Sequence, residues 1–168
     1  IPNPEWALKV FPQEQPDTAV EMLWDAILAS VRIQDQQDPI PLWEKHNRQL
    51  SERNDWLNRQ RFAALHFKNQ KGTDLIVELA EGHLWEGGCE KSQSGVVFNP
   101  NMPTEENFTM PKRTGVRGKV QATKPLSYQG KLIQNFWIEF EEGKAVRWHA
   151  EEEEAALASL IQFDEGSA

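Results

Sequence analysis

The first apolar periodicity of the chain runs through residues 18–31. There Val20, Leu23, Trp24, Ile27, Leu28 and Val31 fall at i, i+3, i+4, i+7, i+8 and i+11. The spacing predicts an amphipathic helix, and Thr18-x-x-Glu21 has the form of a capping box at its start. Upstream, Pro2, Pro4, Pro12 and Pro16 surround the apolar set Trp6, Leu8, Val10 and Phe11. Pro4 followed by Glu5 and Trp6 predicts a single helical turn that ends before Pro12. Asp38-Pro39 and Pro41 open a further helix, with Leu42, Trp43, His46, Leu50, Trp56 and Leu57 near one side. Its other positions in 44–60 (Glu44, Lys45, Asn47, Arg48, Gln49, Glu52, Asn54) read as a solvated polar face, and its end is expected near Phe62.

Past that point the period changes from helical to alternating. Leu65 and Phe67 form one apolar face, Asn69-Gln70-Lys71-Gly72 turns the chain, and Leu75, Val77 and Leu79 continue on a partner strand with Asp74 and Glu78 opposite. Residues 82–95 read as a loop with short extended pieces. Within it, Gly87-Gly88 permits positive φ or a close approach of another segment. Residues 99–113 hold three prolines without periodicity and read as an ordered loop. A strand is expected around Val116, Gly118 and Val120, then a turn at 127–130, a strand from Leu132 to Phe140, a turn at Glu142-Gly143, and a strand to His149. The run Glu151–Glu154 suits a helix N-terminus electrostatically, and Ala155, Ala156, Leu157, Leu160 and Ile161 supply the helical spacing after it. The fold class is α+β: a helical segment, 1–62, followed by a mainly antiparallel sheet with a C-terminal helix, 63–168, expected to form one packed unit.

Composition narrows the function classes. Apolar residues make up 39% and charged ones 26% of 168 residues, which excludes disorder and collagen-like repeats. No apolar run reaches the roughly 18–20 residues of a membrane span, so no membrane partner is expected. The formal net charge of −8 repels phosphate backbones, and nucleic acid is not an expected partner either. Cys89 is the sole cysteine, which excludes an internal disulfide framework and a four-cysteine zinc site and makes a cytoplasmic location the default. The chain opens on Ile1 without the pattern of a signal peptide, so it is expected to be cut from something longer.

Self-contained catalytic motifs are missing: no G-x-S-x-G elbow, no phosphate loop, no G-x-G-x-x-G and no H-E-x-x-H. Cys89 has no obvious base nearby and reads as a buried or incidental thiol. His83, Glu86 and Cys89 are types that bind divalent ions, but the simpler expectation is a loop histidine with solvated neighbours. His46 reads as a packed residue on an apolar helix edge, His66 as a solvent-facing strand residue, and His149 as a strand end. Seven tryptophans are numerous for this length, and four lie in or near helices, where packing accounts for them. Glu105-Glu106 stands apart, because it lies in a Pro-bounded loop between Pro103 and Phe108 instead of on a charged helix face. Adjacent carboxylates point in different directions, and an inward one is costly unless a cation or donor meets it.

At this loop, Asn99-Pro100-Asn101-Met102-Pro103-Thr104-Glu105-Glu106-Asn107-Phe108-Thr109 resembles the PN-x-PTEE-V-FT signature of the aminopeptidase T family, which includes aminopeptidase S. Residues 122–133 look like that family's strand–turn–strand stretch, and Asp164-Glu165-Gly166 resembles the segment before its next metal ligand. Pro4-Glu5-Trp6-Ala7, Trp56-Leu57-Asn58, Gly72-Thr73-Asp74-Leu75 and Glu81-Gly82-His83-Leu84-Trp85 fit in the same order, so the resemblance covers the whole chain.

The resemblance implies a metal-dependent aminopeptidase with two divalent ions (zinc, cobalt or magnesium) that removes N-terminal residues from peptide substrates and works as a homodimer. It places the first metal-binding glutamate on Glu106, with Glu105 a structural neighbour. Asn107 stands where a β-branched apolar residue is usual, and Met110 where alanine is common. The remaining ligands of the family lie beyond the D-E-G segment. The resemblance therefore implies an internal fragment of a larger two-domain enzyme, inactive alone. Two other readings compete: a non-catalytic binding or oligomerisation module on the same fold, and a small independent metalloenzyme using His83, Glu86 and Glu106.

Overall fold

The structure, a computed structural model, describes residues 2–33 and 37–164. In chain order the elements are α1 (Pro4–Val10), α2 (Pro16–Ser30), α3 (Pro39–Gln60), β1 (Ala64–Lys68), β2 (Asp74–Leu79), β3 (Glu90–Lys91), β4 (Val97–Phe98), β5 (Pro111–Gln121), β6 (Leu126–Tyr128), β7 (Lys131–Ile133), β8 (Trp137–Glu141), β9 (Lys144–His149) and α4 (Glu154–Ile161). This is the expected α+β content. The chain divides into two compact units, Ile1–Trp56 with Trp85–Phe108, and Leu57–Leu84 with Thr109–Ala168.

In the first unit, Asn3 caps α1 by accepting from the Trp6 amide at 2.9 Å, and Pro4 occupies the first turn, where a missing N–H costs nothing. Ala7 of α1 and Ala19 of α2 are both fully buried, and Leu23 nearly so. Two alanines at the crossing let the helices approach closely, and Leu8, Phe11, Val20 and Ile27 close the seam. The helix stripe is therefore centred on Ala19 and Leu23, and Trp24, expected inside, is 41% exposed. The capping box is not the helix start. Pro16 begins α2 two residues before Thr18, and Gln15 at the N-cap makes no side-chain cap bond. A proline already held at helical φ defines the first turn, leaving Thr18 inside it.

Asp38 accepts from the Ile40 amide at 3.0 Å, at the start of α3. Trp43, His46 and Leu50 are its buried positions, the i, i+3, i+7 core of the expected stripe, whereas Trp56 is half exposed. The helix ends at Gln60, with Arg61 at φ +50.

The second unit is built on a five-stranded sheet of order β1-β2-β5-β8-β9, with every pairing antiparallel. The β1–β2 hairpin sets Leu65 opposite Val77 and Phe67 opposite Leu75, as the alternation predicts. Pro111, read as loop, is the first residue of β5 and lies opposite Leu79 at the end of the ladder, where a missing donor is tolerated. The expected strand from Leu132 to Phe140 is two strands. Lys131–Ile133 pairs with Leu126–Tyr128 in a separate hairpin, and Trp137–Glu141 joins the main sheet. Between them Asn135 takes φ +47, a value its short polar side chain tolerates.

The core of this unit gathers Ile133, Ala150, Ala156, Leu157 and Ile161, with Phe136, Ile138 and Trp148 packed against them. The acidic run before α4 is not a helix start as a block, since the helix begins at Glu154 and Glu153 lies at φ +60. Its carboxylates act singly. Glu151 accepts from Asn135 at 2.6 Å, Glu152 from Gln134, and Glu153 from Lys131 at 2.8 Å. Glu154 accepts from the Ala150 amide at 3.1 Å and pairs with His149, and these contacts hold its carboxyl below the usual value. Among the described residues no helix is long and apolar enough to cross a membrane.

Candidate functional site

The loop carrying Glu105 and Glu106 belongs to the first unit and is fixed along its length by polar contacts to the helices. Asn99 and Asn47 exchange amide hydrogen bonds in both directions, at 2.9 and 2.8 Å. His46, buried on α3, has its Nε2 2.7 Å from the Thr104 carbonyl, and its Nδ1 lies 3.1 Å from Nη2 of Arg32. A guanidinium can only donate and a carbonyl can only accept. The two neighbours therefore select the tautomer that carries hydrogen on Nε2, donating to Thr104 and accepting from Arg32.

Arg32 owes its position to the way α2 ends. The Arg32 amide donates to Ala29 O at 3.0 Å and the Ile33 amide to Leu28 O at 2.8 Å, the two bonds of a Schellman turn. Arg32 fills the left-handed position of that turn at φ +61, where glycine is the usual residue. From there its guanidinium meets Glu105, bonds His46, and lies 5.0 Å from the centroid of the Trp43 ring. Trp43 is held in turn by its indole N–H donating to Val31 O at 2.8 Å. The Arg32 hydrogen bond, chiefly, holds the Glu105 carboxyl below its ordinary value of 4.5, with the charges of Arg32 and Arg53 assisting.

On the other side of Glu106, Asn107 donates from one amide nitrogen to Leu50 O at 2.9 Å and to Asn54 Oδ1 at 2.7 Å. Asn54 passes its own amide hydrogen to Gly87 O at 3.1 Å. Glu86 and Phe108 then form a two-bond antiparallel bridge at 2.9 and 2.8 Å. Gly87 sits at φ +143, and a Cβ there would stand 2.2 Å from the Glu106 carbonyl oxygen, so only glycine lets these backbones meet. The double glycine does make a close approach, to this loop and, through Gly88, to Leu50.

Glu106 itself is exposed, and no hydrogen bond or ion pair to its carboxylate is found among the described residues. Of the two adjacent acids, Glu105 is the one spent on an internal contact. The other candidates do not gather around Glu106. Among the described residues no three His, Cys, Asp or Glu side chains lie close enough together to hold a metal ion, so neither His83–Glu86–Cys89 nor His83–Glu86–Glu106 forms a centre. His83 turns its Nδ1 to the Ala80 carbonyl at 2.9 Å and lines a groove of about 1270 Å³ in the second unit. Cys89 is exposed, which excludes the buried alternative of the two expected for it, and with Trp85, Glu86, Gly87 and Glu90 it lines a polar cavity of about 440 Å³ in the first unit. His66 faces solvent on β1, as expected, and bonds Asp74 at 2.7 Å beside Lys68. His149 pairs with Glu154. Glu165 and Gly166 of the D-E-G segment lie outside the described residues.

A centre of two divalent ions needs several convergent donors. A carboxylate without an internal partner is a suitable hard-oxygen donor. The described residues supply one such donor at this loop, which fits a contribution to a centre and not a centre complete in itself. Arg32, Asn47 and Asn54, which fix the loop, carry no motif of their own. The only hint of Asn47 and Asn54 is that they flank Leu50 at helical spacing.

Comparison with known proteins agrees with the resemblance of the loop. All of residues 1–168 match the family described as thermophilic metalloprotease (M29). Aminopeptidase T of Thermus aquaticus is 48% identical over 165 residues, and aminopeptidase 2 of Geobacillus stearothermophilus is 44% identical over 167. These alignments cover 98% and 99% of this chain and 40% of each relative, so the chain spans about two fifths of the relatives' length. The structure of wild-type AmpT from Thermus thermophilus superposes with a TM-score of 0.88 at 47% identity, over 98% of this chain and 39% of that one.

Proposed function

The chain belongs to the thermophilic metalloprotease family (M29), and from that premise we propose that it is part of a metal-dependent aminopeptidase, to which it contributes Glu106 as one metal ligand. The observation that carries the proposal is the division of labour in the adjacent pair: Glu105 is tied to Arg32, and Glu106 is exposed on a loop pinned on both sides. When bound, a pair of divalent ions supplies a water acidic enough to attack at neutral pH and polarises the scissile carbonyl. The chain's own part is to hold one oxygen donor in place. Peptides with a free N-terminus are the proposed substrates, in keeping with the names of the relatives. The homodimer implied by the resemblance and a cytoplasmic setting belong to the same proposal. With one donor at the loop, the 168 residues alone are expected to show no turnover.

The test compares Glu106→Gln with Glu105→Gln in the longer polypeptide, reading metal stoichiometry and hydrolysis of an aminoacyl-p-nitroanilide. Glu106→Gln is expected to lose bound metal and most of the activity, and Glu105→Gln to keep its metal. Equal, mild effects of both changes would overturn the assignment.

A further inference from the structure

Three consecutive polar side chains, Glu105, Asn107 and the Glu106 between them, meet different fates. Glu105 is bonded to Arg32 in the turn that ends α2 and Asn107 to α3, and the middle one is bonded to neither. The Asn107 side is the more constraining. A single amide nitrogen serves two acceptors on α3, and Asn54, the second acceptor, uses its own amide hydrogen to hold the Gly87 carbonyl. Gly87 is the residue whose backbone lies against the Glu106 carbonyl, too close for a Cβ. The helix thus grips the peptide unit of Glu106 twice, at the next residue through Asn107 and at its carbonyl face through Asn54 and Gly87. These are directed contacts made by part-buried groups, and a buried amide left unbonded is costly, so the arrangement has one orientation.

We propose that Asn54 and Asn107 are positioning residues that set the direction in which the Glu106 carboxylate leaves the loop, and through it the affinity of the metal centre. The inference rests on the reading of Glu106 as a ligand. Neither asparagine touches a metal; each acts through the backbone of the ligand, and loss of such supporting bonds typically weakens metal binding 10–100-fold.

The test uses the longer polypeptide with Co²⁺ as the probe. Affinity is read by competition with a chromogenic chelator and coordination by the visible Co²⁺ absorption. Asn107→Ala and Asn54→Ala are each expected to weaken Co²⁺ binding by about tenfold and to alter the absorption bands. Asn54→Asp keeps the acceptor for Asn107 but loses the donor to the Gly87 carbonyl, so its affinity is expected between those of Asn54→Ala and the wild type. Thermal midpoints of the metal-free variants separate positioning from folding. A lowered midpoint with wild-type Co²⁺ affinity and spectrum would overturn the proposal. Should Asn107→Ala fail to fold, Asn54→Ala against Asn54→Asp carries the same comparison, and equal affinities in that pair would overturn it. Glu106→Gln is the reference. If it keeps both metals, the ligand reading itself falls; if it loses one while the asparagine variants bind normally, only the positioning inference falls.

Discussion

Replacing Arg32 by alanine and, separately, by glycine sets two opposing effects against each other at one position. The residue lies at φ +61, a region that an L side chain enters at a cost of roughly 1–2 kcal/mol. Its side chain offsets that cost through three contacts. The hydrogen bond to His46 at 3.1 Å comes from a charged donor and contributes about 1.5–3 kcal/mol. The Glu105 partner is 64% exposed, so solvent screening holds that ion pair below about 1 kcal/mol. The guanidinium over Trp43 at 5.0 Å adds about 0.5–1 kcal/mol. Both truncations lose these contacts, less the entropy regained by the freed side chains, and a net loss of about 2–4 kcal/mol is expected. Glycine alone recovers the backbone term. It loses about 0.4–1 kcal/mol of that through its greater freedom in the unfolded chain. Arg32→Gly should therefore be more stable than Arg32→Ala by about 0.5–1 kcal/mol, the reverse of the usual order of these two residues. Equilibrium urea unfolding with matched m-values gives the difference directly. Alanine above glycine would refute the Schellman ending of α2, and wild-type stability in both variants would refute the anchoring contacts.

The Glu105 carboxyl supplies a second check. Its folded pKa lies below 4.5 because of Arg32, so the pair's contribution is present above the unfolded value and is lost as pH falls through the folded one. A ¹³C titration of the Glu105 side chain should give a midpoint below 4.5 that moves back toward it in Arg32→Gly; a wild-type midpoint at or above 4.5 would count against the contact. Gly87→Ala introduces a Cβ at 2.2 Å from the Glu106 carbonyl oxygen, and either the loop or the bridge at Glu86 and Phe108 must give way. A loss of roughly 1–3 kcal/mol is expected, with shifted amide signals for Glu106 and Phe108. Unchanged spectra would show that the two backbones do not meet there.

The fold was readable in the chain wherever a single period governs a segment. Leu65, Phe67, Leu75 and Val77 alternate because one face of a hairpin is apolar, and a pair of strands joined by a short turn needs nothing distant to define it. The structure departs from the sequence pattern where two local signals compete. Thr18-x-x-Glu21 is a genuine capping pattern, but Pro16 imposes helical φ two residues earlier and takes the helix start. Leu132 to Phe140 alternates well enough for one strand, yet Asn135 adopts positive φ and the halves join different sheets. Nothing in the alternation distinguishes a strand from two strands meeting at a corner.

The loop poses a different problem. Glu106 stands out by its signature, but Asn47 and Asn54, which help to fix the loop, read as part of a solvated helix face. Asn47 and Asn54 look like surface positions because polarity along a helix is assigned by spacing, and spacing tells which residues share a face without telling what covers it. Here the cover is an aperiodic segment 52–53 residues further on, contributing Asn99 and Asn107. Arg32 is more distant still, 73 residues from Glu105, and its backbone conformation belongs to a turn that glycine normally fills. A non-glycine residue in that position, or an asparagine one helical step from a buried leucine, is weak evidence separately. Both become informative when an unpatterned, proline-framed loop also needs partners for its backbone, because an ordered loop must satisfy its polar groups somewhere. The polar flanks of a helix's apolar stripe, such as Asn47 and Asn54 beside Leu50, are where those partners should be sought.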